Sequence, residues 1–142
     1  MSTDLNVFVE KQKLLTPVQW QQRIESDGFP VKLDTSFDPD DFSGYLPATL
    51  NGEEVVFELD FSPLEDTMFD PEDDPELVPI LGARDLCVGF CIPAGAPERS
   101  VDAAVMAAVV LARACDGVCW VDPEFCGTDE LLQHSREAAG LK

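Results

Sequence analysis

Hydrophobic and polar positions alternate most regularly over residues 42–61, on either side of Asn51-Gly52. Asn and Gly both accept positive φ, so the pair predicts a two-residue hairpin turn of type I′. Such a turn pairs Leu50 with Glu53, Ala48 with Val55, Leu46 with Phe57, Gly44 with Leu59 and Phe42 with Phe61. Almost every apolar residue of the hairpin then shares one face. The other face sets Tyr45, Pro47 and Thr49 opposite Glu58, Val56 and Glu54 and is largely wet. Pro47 falls in a pair that exchanges no hydrogen bonds across the hairpin, so its missing N–H points outward and the first strand is expected at a sheet edge. Residues 84–92 form a further strand, with Leu86, Val88, Phe90 and Ile92 on one face and Cys87, Gly89 and Cys91 on the other. Both faces are apolar, which predicts a central position.

Helical periodicity brackets these strands. Thr16-Pro17-Val18-Gln19 reads as a helix start, with Thr16 at the N-cap, Pro17 at the first helical position and Gln19 placed to return a capping-box bond. Gly28 ends that helix, whose partly apolar face holds Val18, Trp20, Gln21 and Ile24. A short extended piece at 30–33 and a turn at Asp38-Pro39-Asp40-Asp41 follow. Residues 60–76 carry eight acids and three prolines with little periodicity, which predicts a loop. The Ala-rich stretch 98–115 predicts a helix buried on most sides, with Arg113 in its last turn and Gly117 beyond its end. Val118-Cys119-Trp120-Val121 reads as a short strand ended by Asp122-Pro123. Thr128 is the expected cap of a last helix through Ala139, with Gly140 just past it. The elements assemble into one α+β domain over residues 1–142: an antiparallel sheet, the buried Ala-rich helix across its apolar face, and flanking terminal helices.

Charge changes the picture. The chain of 142 residues has 28 Asp and Glu against 9 Lys and Arg, a formal net charge of -19. At 45% hydrophobic it nonetheless has the material for a core. Residues 33–83 contain 15 of the acids and no Lys or Arg, so the excess is regional. Nucleic-acid binding needs Lys and Arg on phosphates and is excluded on that balance. The longest apolar run, residues 103–112, is about half of the ~20 residues that a membrane span requires. The N-terminus lacks the basic and apolar regions of a secretory leader, and the five cysteines include no CxxC, so a reduced, cytoplasmic protein is expected.

Candidate chemistry adds little. Cys87 and Cys91, and Cys115 and Cys119, resemble paired zinc ligands, but residues four apart on a strand lie ~13 Å from one another and cannot chelate one ion. Packing thiols are the preferred reading. Cys126 in a Gly-flanked loop and His134 on the last helix could form a nucleophile pair only by meeting in space, and no elbow or oxyanion turn supports it. Asp70-Pro71-Glu72-Asp73-Asp74-Pro75-Glu76 lacks the Gly and Glu positions of a calcium loop. Carboxylate pairs for glycoside hydrolysis need a raised pKa, and a solvated loop supplies none. No catalytic residue, metal ligand or cofactor is therefore assigned. The acids themselves form either a solubilising surface or a docking face for a basic protein, and their concentration without compensating cations favours docking.

The runs Phe42-Ser43-Gly44-Tyr45-Leu46-Pro47-Ala48 and Asn51-Gly52-Glu53-Glu54-Val55-Val56-Phe57-Glu58 are followed by a helix ending Leu111-Ala112-Arg113-Ala114-Cys115-Asp116-Gly117-Val118 and then by Asp122-Pro123. Over residues 42–123 this pattern resembles the small acidic immunity proteins encoded beside bacterial polymorphic toxins. The resemblance implies a cytoplasmic, non-enzymatic protein that binds a cognate toxin and blocks its active site. It supplies no contact residues, so these are taken from the charge pattern: Glu54, Glu58, Asp66, Asp70, Glu72, Asp73 and Asp74. An acidic secretion chaperone for an effector protein is the alternative, and a small enzyme built on Cys126 or His134 a weaker third.

Overall fold

A computed structural model describes residues 3–121 and 124–140, without the side chains of Glu124 and Cys126. In chain order its elements are β1 (Thr3–Val9), α1 (Pro17–Ser26), β2 (Val31–Leu33), β3 (Ser43–Tyr45), β4 (Ala48–Leu50), β5 (Glu53–Val55), β6 (Glu58–Pro63), α2 (Val78–Leu81), β7 (Leu86–Ile92), α3 (Arg99–Ala114), β8 (Val118–Val121), β9 (Glu124–Cys126) and α4 (Thr128–Ala138). The fold is α+β. Its strands pair antiparallel into a six-stranded sheet, β3-β6-β7-β1-β8-β9, and a three-stranded sheet, β2-β4-β5.

Local signals are realised where the interaction spans a few residues. Thr16 Oγ1 accepts the Gln19 N–H at 3.2 Å, while Gln19 Oε1 accepts the Thr16 N–H at 3.0 Å, closing the capping box. Trp20 and Ile24 are buried, whereas Val18 is 51% exposed and leaves the expected apolar face. The Asn51-Gly52 turn has φ of 54° and 82°, as type I′ requires. Leu50 faces Glu53, Ala48 faces Val55, and Gly44 faces Leu59, in the expected register. The Leu46 N–H reaches the Phe57 carbonyl at 3.1 Å, so the register runs unbroken through the bend.

That hairpin is nevertheless shared between two sheets. Its tip, β4 and β5, joins β2, and its base, β3 and β6, forms one margin of the larger sheet. The expected edge position therefore holds for β3, while β4 is the middle strand of the small sheet. Pairing around Pro47 stops at the bend. There the Val56 N–H is taken by the buried Ser100 Oγ of α3 at 2.8 Å, and the Pro47 carbonyl accepts the Asp34 N–H at 2.9 Å.

The strand β1 was not among the expected elements, because an N-terminal run of seven residues carries no turn or cap to mark it. It lies between β7 and β8, near the middle of the large sheet. Leu5, Val7 and Val9 enter the main core beside Leu59, Val88 and Phe90, and α3 packs across that face. As expected, α3 is buried along most of its length, with α1 and α4 against it. Its C-terminal exit differs in detail. Asp116 takes the left-handed conformation at φ 53°, and Gly117 serves close approach instead, since a Cβ there would meet the Phe8 carbonyl at 2.8 Å and Val9 at 2.9 Å. Thr128 is the first helical residue of α4, and Gly127 occupies the N-cap without a side-chain bond. The turn expected at Asp122-Pro123 lies outside the described residues.

Residues 60–76 are not an open loop. After β6 the chain makes two 3-10 turns, Leu64–Asp66 and Pro75–Leu77, and the short helix α2. Leu64, Phe69, Leu77 and Leu81 from this segment bury against Phe8 and Cys87 as a second core on the opposite face of the large sheet. Four apolar residues among many acids show no period, but Leu64 and Leu77 in the 3-10 turns, Phe69 in the turn between them and Leu81 at the end of α2 are all buried. No helix among the described residues is long and apolar enough to cross a membrane.

Candidate functional site

Antiparallel register sorts the large sheet into two faces. Leu59, Phe90 and Leu5 point toward α3, so Glu58, Asp60, Gly89, Cys91, Asp4, Asn6 and Trp120 point the other way. Tyr45, Glu58, Cys91 and Asp4 form one cross-strand row. Ser43, Asp60, Gly89, Asn6, Trp120 and Phe125 form the next. The acidic segment covers only part of this face. What it leaves open is a groove of about 530 Å3, bounded by Met68 and Phe69 of the cap on one side and by the carboxylates of β1 and β6 on the other.

Gly89 forms the floor. The Asp60 carboxylate lies where a Cβ on residue 89 would stand, and Asn6 Oδ1 is 3.4 Å from the same point. Asp60 is exposed as a residue, yet its carboxyl group rests on the sheet. Burial there raises it above the usual aspartate range, the Gly89 backbone amide moderates the rise, and the Glu58 charge adds to it. The Trp120 ring stands at the wall, held edge-to-face by Phe69 at a centroid distance of 5.0 Å. Phe69 in turn meets Phe8 at 4.9 Å. Met68 is 81% exposed at the rim.

The acids named from the charge pattern fall in three places. Asp66, Asp70, Glu72, Asp73 and Asp74 ride on the cap, Glu58 stands in the groove, and Glu54 lies apart on β5 of the small sheet, paired with Thr49. The cap acids are held in turns rather than in free chain. Asp70 Oδ1 accepts the Glu72 N–H at 3.0 Å, its carbonyl accepts the Asp73 and Asp74 N–H groups, and Asp74 Oδ1 accepts the Glu76 N–H at 3.2 Å. Among the described residues, none of the seven forms an ion pair with a described base; Lys11 pairs with Asp40 and Lys13 with Glu10. Charge counting did not single out Asp4, Asn6, Asp60, Gly89 or Trp120. The period-2 alternation of Asp4 and Asn6 with Leu5 and Val7 was their available signal, but it does not say which strands lie alongside.

Nucleophile and ligand candidates are dispersed. Cys87 is buried, donates from Sγ to Asn6 Oδ1 at 3.3 Å, and has its thiol pushed up to about 12 by burial and by the Asp60 charge. Cys115 is raised by burial, with hydrogen bonding from the Leu15 backbone offsetting part of the rise. Neither is an activated thiolate. Cys126 belongs to β9 rather than to a loop, opposite Cys119, and the expected exposure of its thiol lies outside the described residues. His134 is exposed on α4. Among the described residues, no three His, Cys, Asp or Glu side chains converge as a metal site. In comparisons with known proteins, no family model matches the sequence and no curated protein matches it.

Proposed function

We propose that this chain is a non-enzymatic immunity protein that binds a basic cognate toxin in the bacterial cytoplasm and blocks the toxin's active site. One observation carries the reading: acids that form no ion pair with a described base stand on a folded cap with its own core, whose Met68 and Phe69 border a groove lined by further carboxylates. Unpaired like charges on rigid turns repel one another, and a basic partner relieves that repulsion on binding. A merely solubilising surface has no need of a packed platform. The secretion-chaperone alternative draws on Met68, Val78 and Ile80, which the same cap exposes and which an extended effector segment could cover. It differs in requiring an unfolded segment, where immunity requires the folded toxin domain.

The test is co-expression with the toxin encoded by the adjacent gene, followed by association kinetics at low and high salt. Growth should be rescued, and the association rate should fall as salt screens the approach. Replacing Asp66, Asp70, Asp73 and Asp74 by Asn and Glu72 by Gln should slow association at least tenfold. Asn keeps the Oδ1 acceptors that close the turns at Asp70 and Asp74, so the cap stays folded. A rate indifferent to both salt and the five replacements refutes electrostatic docking, and neutralisation lost without loss of binding refutes a purely steric mechanism.

A further inference from the structure

The open groove has a more specific chemistry than the charge of the cap. Asp4, Glu58 and Asp60 supply carboxylates from two strands, Met68, Phe69 and Trp120 supply an apolar wall, and among the described residues no Lys, Arg or His lines it. Glu58 and Asp60 lie two apart on β6 and share its outer face, which separates their Cα atoms by about 7 Å. A planar cation between them can donate to both. The absent Cβ of Gly89 lets the Asp60 carboxylate lie down on the sheet rather than project from it, which deepens the space above. At about 530 Å3 the groove has the size of a small-ligand pocket and accepts a long side chain with its flanking backbone.

We infer that this groove receives an arginine side chain of the partner, its guanidinium on Glu58 and Asp60 and its aliphatic stem along Trp120 and Met68. Charge complementarity selects a cation, and the geometry selects arginine over lysine. A guanidinium forks between two acceptors and stacks on an indole face, while an ammonium is a compact, strongly hydrated point charge. Burial of the stem against an apolar wall is the usual manner in which long cationic side chains dock. Burial raises the Asp60 carboxyl above its usual range, in keeping with a group that rests on the sheet rather than in open water. Tyr45, 59% exposed, stands opposite Glu58 on β3.

The identity of the partner rests on the toxin-binding reading, but the groove can be probed without a toxin. The probe is an acetylated, amidated pentapeptide, Gly-Gly-Arg-Gly-Gly, compared with its lysine and citrulline counterparts. Trp120 emission and titration calorimetry report binding. Trp20 contributes a constant background, being 2% exposed with its Nε1 bound to the Ala107 carbonyl at 2.9 Å. Arginine should bind best, lysine less well, and citrulline, which keeps the shape without the charge, not measurably. Glu58→Gln with Asp60→Asn should weaken the arginine peptide at least tenfold. Asp73→Asn with Asp74→Asn, an equal change of net charge on the cap, should weaken it less than twofold. Gly89→Ala provides a second route, since its methyl group displaces the Asp60 carboxylate with no change of charge, and should also weaken binding. Equal weakening by the two pairs, or citrulline binding as well as arginine, overturns the groove. The two readings fail separately. A toxin neutralised with equal affinity by the Glu58/Asp60 variant overturns the groove and leaves immunity standing; a peptide bound as described, with no toxin neutralised, does the reverse.

Discussion

Phe57→Ala tests the architecture at the point where the hairpin passes from one sheet to the other. Phe57 is fully buried, lies between β5 and β6, and meets the Phe90 ring at 5.9 Å. A Phe side chain buries about 150–250 Å2, and truncation to Ala withdraws most of it, which at ~25 cal/mol per Å2 costs about 3–5 kcal/mol. The range measured for such core truncations is the same, about 3–5 kcal/mol, and includes the cavity left behind. Collapse is restricted here because the backbone on either side is held, with the Leu46 N–H on the Phe57 carbonyl and the Val56 N–H on Ser100 Oγ of α3. Urea unfolding followed by far-UV circular dichroism is the assay. With a slope of ~2 kcal/mol per M, the midpoint should fall by about 2 M at unchanged slope. Phe57→Leu, which keeps most of the volume, should cost less than about 1.5 kcal/mol. A Phe57→Ala loss below about 1 kcal/mol would falsify the placement of this residue in the core, and with it the register that runs from Asn51-Gly52 to the base of the hairpin.

Other consequences are separately measurable. The Cys87 thiol is raised from 9.0 to about 12, so the folded state keeps a proton that the unfolded state loses. That contribution is complete below pH 9 and is lost at about 1.4 kcal/mol per pH unit as the pH rises toward 12. Cys87→Ala should flatten this alkaline slope in denaturant titrations, and an unchanged slope refutes the assignment. Thr16→Ala opens the capping box and should cost about 1 kcal/mol, read as a lower melting temperature. Gln19→Ala on that background should add less than it does alone, because the two bonds form one motif.

Much of the fold is legible because its causes are local. A capping box, an Asn-Gly turn and a strand with two apolar faces each depend on residues within a few positions, and Thr16, Asn51 and residues 86–92 behave as their neighbours dictate. The Ala-rich face of α3 announces burial for the same reason: apolar side chains wrap most of the circumference and leave only a narrow polar stripe at Arg99, Asp102 and Arg113. Charge counting marks the regional excess of acids over residues 33–83, since absence of Lys and Arg over a segment needs no fold to be read. What it missed depends on partners distant in sequence. β1 becomes a central strand only because β7 and β8, more than 75 residues later, close on both its edges. Leu64, Phe69, Leu77 and Leu81 become a core only because Phe8 and Cys87 lie beneath them. The groove follows from both events. Asp4, Asp60, Gly89 and Trp120 come from four strands, and hydrogen-bonded register brings them to one face that the cap leaves partly bare, a juxtaposition that no local pattern encodes.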